Sequence, residues 1–67
     1  PQFTGLLDKN GEEIHERDIV ENKYRYKIEF ITGCFCAKDK FGSTEPLFQY
    51  EQLKVIGNIH ENKDLLD

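Results

Sequence analysis

Tyr24-Arg25-Tyr26-Lys27-Ile28-Glu29-Phe30-Ile31-Thr32-Gly33-Cys34-Phe35-Cys36-Ala37-Lys38 decides the fold class of this 67-residue chain. Tyr24, Tyr26, Ile28 and Phe30 alternate with Arg25, Lys27 and Glu29, a period of two that a helix would scatter around its surface. Thr32-Gly33 reads as a turn into a second strand over residues 34–38. A two-residue turn sets Ile31 opposite Cys34, Phe30 opposite Phe35, Ile28 opposite Ala37, Lys27 opposite Lys38, Arg25 opposite Lys40 and Tyr24 opposite Phe41. One face of this hairpin is then almost wholly apolar, the condition that fixes strand register. Tyr24, Tyr26, Ile28 and Phe30 are therefore all expected to face the core.

Outward from the hairpin, strand and turn signals continue. Asp8-Lys9-Asn10-Gly11 is a turn with a mechanism: Asn and Gly tolerate positive φ, and the Asp carboxylate can accept the amide two residues on. It is expected to join a strand at residues 3–7 to one at residues 12–14. Asp18-Ile19-Val20-Glu21 reads as a short strand, closed by a turn at Glu21-Asn22-Lys23. Residues 39–45 carry Gly42 and Ser43 and read as a loop, with Phe41 as an anchor. Pro46 suits the first residue of a strand or an edge. Residues 47–50 and 53–59 are predicted to be further strands, with Leu53, Val55 and Gly57 on one face. Asn62-Lys63-Asp64-Leu65-Leu66 is expected to form a C-terminal helical turn capped by Asn62. The fold class predicted is all-β: a small SH3-like partial barrel or a strongly bent antiparallel sheet.

Composition bounds the function. The chain is 37% hydrophobic and has five Phe and three Tyr but no Trp or Met, so aromatic side chains must supply much of the core. One small domain fits this length. Net charge is −4, which counts against a free-standing nucleic-acid binder. No apolar run is long enough for a bilayer. Two cysteines separated by one residue, Cys34 and Cys36, are a poor disulfide framework and suit a reducing cytosol.

Two phrases at the ends of the chain carry a family likeness. One is Gln2-Phe3-Thr4-Gly5-Leu6-Leu7-Asp8-Lys9-Asn10-Gly11-Glu12-Glu13-Ile14 with Asp18-Ile19-Val20. The other is Val55-Ile56-Gly57-Asn58-Ile59-His60-Glu61-Asn62. Together they resemble the YopX family of small bacteriophage and prophage proteins. The resemblance implies an all-β fold and the cytoplasm of a bacterial host, and it brings no established activity. Family members usually have a further segment before this one. With Pro1 in first place, the chain is expected to be the C-terminal part of a longer protein. Arg17 stands where the family commonly has Gly, which weighs against a tight left-handed turn there. Lys63 stands where the family often has Pro.

Candidate chemistry is sparse. Cys34, Cys36, His15 and His60 match the inventory of a zinc site but not its spacing, and the family commonly carries Tyr at both His positions. No metal or cofactor is expected. The predicted register puts both thiols on the face of Lys27 and Lys38, where a thiol pKa could fall, but no nucleophile motif accompanies them. The carboxylates show no catalytic pairing, and the glycines are dispersed at turns rather than gathered in a phosphate loop. No enzymatic activity is expected.

The most informative constellation is Arg25, Lys27, Lys38 and Lys40, four cations on one face of an acidic protein. Like charges directly opposite in a sheet are destabilising. Either neighbouring acids such as Glu21 or Glu51 compensate them, or an anionic partner does. Two functions follow. The first is a protein-interaction module that engages a host or phage protein, or itself. The second is a nucleic-acid-binding barrel using the four cations, with Tyr24 or Phe41 for stacking.

Overall fold

In a computed structural model that describes residues 2–59 and 61, the two aromatic-rich runs form the central hairpin, β4 (Arg25–Ile31) and β5 (Cys34–Lys38). Their register matches the sequence expectation from Ile31 opposite Cys34 to Lys27 opposite Lys38. Thr32 and Gly33 both adopt positive φ, 49° and 79°. This is the handedness that a two-residue hairpin turn requires.

The remaining elements are β1 (Phe3–Leu7), β2 (Glu13–His15), β3 (Asp18–Glu21), β6 (Thr44–Pro46), a 3-10 turn (Leu47–Gln49) and β7 (Lys54–Asn58). All pairing is antiparallel. β1 and β2 form a two-stranded sheet, and the other strands form a five-stranded sheet in the order β6-β5-β4-β3-β7. β3 to β6 make a meander, and β7 returns across the molecule to pair with β3. The edges β6 and β7 do not meet, so the sheet is bent rather than closed into a barrel. The predicted C-terminal helical turn lies outside the described residues.

One core holds both sheets. Val20, Tyr26, Ile28 and Ala37 come from the larger sheet, Ile14 from the smaller one, and Leu47 and Leu53 from the connecting segments. Phe35, Tyr50 and Val55 pack against them, with the Tyr26 and Tyr50 rings 4.8 Å apart.

Several expectations are corrected. Tyr24 and Phe30 do not face the core: they are 60% and 46% exposed. The seven-residue β4 runs roughly 20 Å, longer than the layer packed on it, so the alternation buries only its middle members, Tyr26 and Ile28. Tyr24 lies before β4, where its amide donates to the Asn22 side chain. Phe30 lies near the far turn and packs on Phe35, ring centroids 4.8 Å apart. The predicted pairs Arg25–Lys40 and Tyr24–Phe41 do not form. Asp39 closes a turn instead, its Oδ1 accepting the Phe41 and Ser43 amides at 2.9 and 3.0 Å. Phe41 anchors nothing and is 83% exposed.

Residues 47–50 are not a strand. Pro46 ends β6, and the chain then tightens into the 3-10 turn, closed by the Tyr50 amide donating to the Leu47 carbonyl at 3.1 Å. A repeat of three buries Leu47 and half-buries Tyr50 while Phe48 points out. Gly57 does not share a face with Val55. The β3–β7 register shifts between Ile19 opposite Gly57 and Val20 opposite Val55, so the extra residue sends Gly57 to the face away from the core.

Arg17 makes the left-handed turn despite its side chain, with φ 73°. Its amide donates to the Ile28 carbonyl at 2.7 Å, and its carbonyl accepts the Ile59 amide at 3.1 Å. These bonds, to β4 and to the residue just after β7, hold it in a conformation that an L side chain disfavours.

Candidate functional site

β4 and β5 carry the charged face, because alternate residues of a paired hairpin leave the core side together. Lys27 and Lys38 stand directly opposite one another there. Lys27 Nζ lies 2.7 Å from Glu29 Oε2, two residues along the same strand, and the two side chains are only 29% and 26% exposed. The Lys27 hydrogen bond, together with the Lys27 and Lys38 charges, outweighs burial and holds the Glu29 carboxyl below its ordinary range. Glu29 is therefore the paired counter-charge of Lys27, with a smaller influence from the Lys38 charge.

The other two cations stand apart. Arg25 faces Glu21 across the β3–β4 ladder, and Arg25 Nε donates to Glu21 Oε2 at 2.9 Å. Lys40 sits in the Asp39 turn, its ammonium 5.2 Å from the Phe41 ring centroid. The predicted four-cation patch is thus one lysine pair balanced by Glu29, one Arg–Glu pair, and one lysine on a turn. Compensation by Glu21 agrees with the sequence reading. Compensation by Glu29 has no sequence signal, because an acid two residues along the same strand reads as one more outward residue.

The Cys36 thiol is not activated as a nucleophile. Burial pushes the Cys36 thiol above its ordinary range, aided by its hydrogen bond with Cys34 and by the nearby charges of Cys34 and Glu29. That keeps it protonated, the reverse of nucleophile activation. His15 is held locally: its amide donates to Asp18 Oδ2 at 2.8 Å, its ring is 3.4 Å from Glu13 Oε1, and the Phe3 ring packs against it at a tilt, centroids 5.5 Å apart. His60 lies outside the described residues. Among the described residues no three His, Cys, Asp or Glu side chains gather as a metal site, and no helix is long and apolar enough to cross a membrane.

Asp8 is the one buried acid among the described residues. Burial alone would raise its pKa. The Val55, Glu12 and Asn10 amides, with the Lys54 charge, bring it below the ordinary carboxylate value instead. All three amides lie within 3.0 Å of its oxygens, so the carboxylate is committed to structure.

The described residues include two concavities. A cleft of about 300 Å³ is lined by Glu16, Arg17, Lys27, Glu29, Phe30 and Ile59, with two acids against two bases. The other, about 150 Å³, lies where the β1–β2 sheet meets the 3-10 turn. Leu6, Leu7, Ile14, Leu47, Phe48 and Leu53 form its apolar walls. Lys9 brings the one charged side chain to its lining. At its rim Leu6, Leu7 and Phe48 are 39%, 59% and 71% exposed. Sequence reasoning missed this groove. The available signal was two adjacent apolar pairs, Leu6-Leu7 and Leu47-Phe48, of which a strand or tight turn can bury only one member each.

The YopX protein family model matches residues 1–67, the whole chain. No curated protein matches the sequence.

Proposed function

This chain belongs to the YopX family, and on that premise we propose that it is a phage- or prophage-encoded, non-catalytic protein-interaction module working in the cytoplasm of a bacterial host. The observation that carries this reading is the groove rimmed by Leu6, Leu7 and Phe48, three large apolar side chains left to solvent in a chain that is 33% charged. Large apolar side chains exposed together around a groove are a feature of contact sites on soluble proteins. The neutralisation of Arg25 by Glu21 and of Lys27 by Glu29 weakens the competing nucleic-acid reading. Phosphate binding relies on cations whose charge is available to replace counterions.

The test is photo-crosslinking inside a bacterial host. A crosslinking amino acid in place of Leu7 is expected to trap a protein, whether another copy or a different chain. The same group in place of the exposed Lys23, away from the groove, is expected to trap none. No adduct from either position would overturn the interaction-module reading. Binding of single- or double-stranded DNA at low salt that weakens steeply with added salt would replace it with the nucleic-acid one.

A further inference from the structure

The groove at the 3-10 turn is a hole with a knob beside it. A groove of about 150 Å³, open to solvent and lined by aliphatic side chains together with the polar ends of Lys9, Tyr50 and Gln52, has room for one benzene-sized ring. Phe48 supplies such a ring at the rim and is 71% exposed. Resting on the interaction-module reading, we infer that the occupant is a second copy of this chain. In a two-fold dimer, each copy inserts its Phe48 into the other's groove.

Symmetry and charge both point to this occupant. A knob and a hole on one patch are self-complementary, so reciprocal insertion closes after two copies. Phe41 is also a bare phenyl, but its turn does not line the groove. Inserting it would make a head-to-tail contact that need not close. The chain carries net charge −4, so two copies repel over most of their surface. Lys9 makes the groove lining locally basic. Glu51 lies three positions beyond Phe48 and is exposed. Neither Lys9 nor Glu51 has an ion-pair partner among the described residues. A copy that delivers Phe48 therefore brings Glu51 toward the other copy's Lys9, which fixes orientation as well as contact.

Sedimentation equilibrium of the purified chain, up to about 1 mM, where even weak pairing of about −4 kcal/mol registers, tests the inference. The expected result is a concentration-dependent dimer. Phe48→Ala should weaken it by about 30-fold or more, as for a central aromatic anchor, and leave the thermal melt unchanged because Phe48 is exposed. Lys9→Glu should weaken it, and Lys9→Glu with Glu51→Lys in the same chain should restore it. A purely structural role for either residue would not produce that restoration. A monomer throughout overturns the inference, as does a dimer indifferent to Phe48 and the charge swap, or an open-ended assembly that depends on Phe41. If the protein is monomeric while Leu7 crosslinks to a different chain in cells, this inference fails and the interaction-module reading stands. If both experiments are negative, both fall.

Discussion

The Asp8 carboxylate accepts the Val55 amide at 3.0 Å across 47 positions of sequence. With its other oxygen it accepts the Asn10 and Glu12 amides of its own turn, each at 2.8 Å. One side chain thus shapes the β1–β2 turn and fastens it to β7. Beside it, the Lys9 amide donates to the Leu53 carbonyl at 2.8 Å. The position of the groove rests on this junction, since Leu6, Leu7 and Lys9 enter from one side and Leu53 from the other.

Asp8→Ala should cost about 2–3 kcal/mol in urea unfolding, because buried amides lose their acceptor. Acid titration should show the same group. Its folded pKa lies below the unfolded value, so its stabilisation is present above about pH 4 and is lost as pH falls through the folded value. In Asp8→Ala the acid limb of the stability profile should be shallower. A profile parallel to wild type would show that Asp8 contributes no such linkage.

Lys27 and Lys38 should behave differently although they stand opposite each other. Lys38→Gln relieves like-charge repulsion and leaves the Lys27–Glu29 pair intact, so stability should hold or rise by a few tenths of a kcal/mol. Lys27→Gln removes the half-buried partner of Glu29 and should cost about 0.5–1 kcal/mol. It should also raise the Glu29 pKa, which carboxyl-resolved NMR titration would read. Equal effects from the two substitutions would mean that Glu29 serves both lysines alike.

Arg17 and Thr32 hold positive φ with ordinary side chains. Arg17→Gly should raise stability by about 0.5–1 kcal/mol, the left-handed penalty less the extra entropy of unfolded glycine. Arg17→Ala keeps a Cβ and should bring no such gain. Thr32→Asn should stabilise the hairpin by a similar amount, since Asn before Gly suits this turn. Thermal melts of the three variants decide the matter; a gain from Arg17→Ala would point to the guanidinium rather than the backbone.

Ile28→Ala should cost about 3–5 kcal/mol because Ile28 is fully buried in the shared core. Phe30→Ala should cost only about 1–2 kcal/mol, since half of that ring is already in water and its main contact is Phe35. Denaturant midpoints for the pair measure how far the core extends along β4.

The hairpin was legible because alternation and a Thr-Gly turn are local signals that agree. The register from Ile31–Cys34 to Lys27–Lys38 follows from them, as does the Asp8 turn. What sequence could not supply was the extent of the layer above the sheet. Tyr24 and Phe30 obey the same alternation as Tyr26 and Ile28 and differ only in whether another element reaches them. The extra residue in β7 inverts Gly57 without leaving a mark in a short apolar run. Arg25, Lys27 and Lys38 lie on the expected strands and Lys40 does not, and the partners of all four depend on side-chain reach. The groove joins residues 6–9 to residues 47–53, a juxtaposition that no periodicity encodes.

The return of β7 to β3 has a consequence in time. The meander from β3 to β6 joins neighbours in sequence, whereas β7 must wait until residues 54–58 exist before it can pair with β3 or offer the Val55 amide to Asp8. A chain emerging from the ribosome would therefore carry Leu6 and Leu7 on an unfastened hairpin until residues 54–58 are made. Pulse-labelling hydrogen exchange during refolding should find the Ile28 and Ala37 amides protected before that of Val55. Simultaneous protection would mean that β7 is part of the nucleus. If the order holds, the groove takes shape only after the meander, because its Leu53 wall is set beside Lys9 when β7 docks.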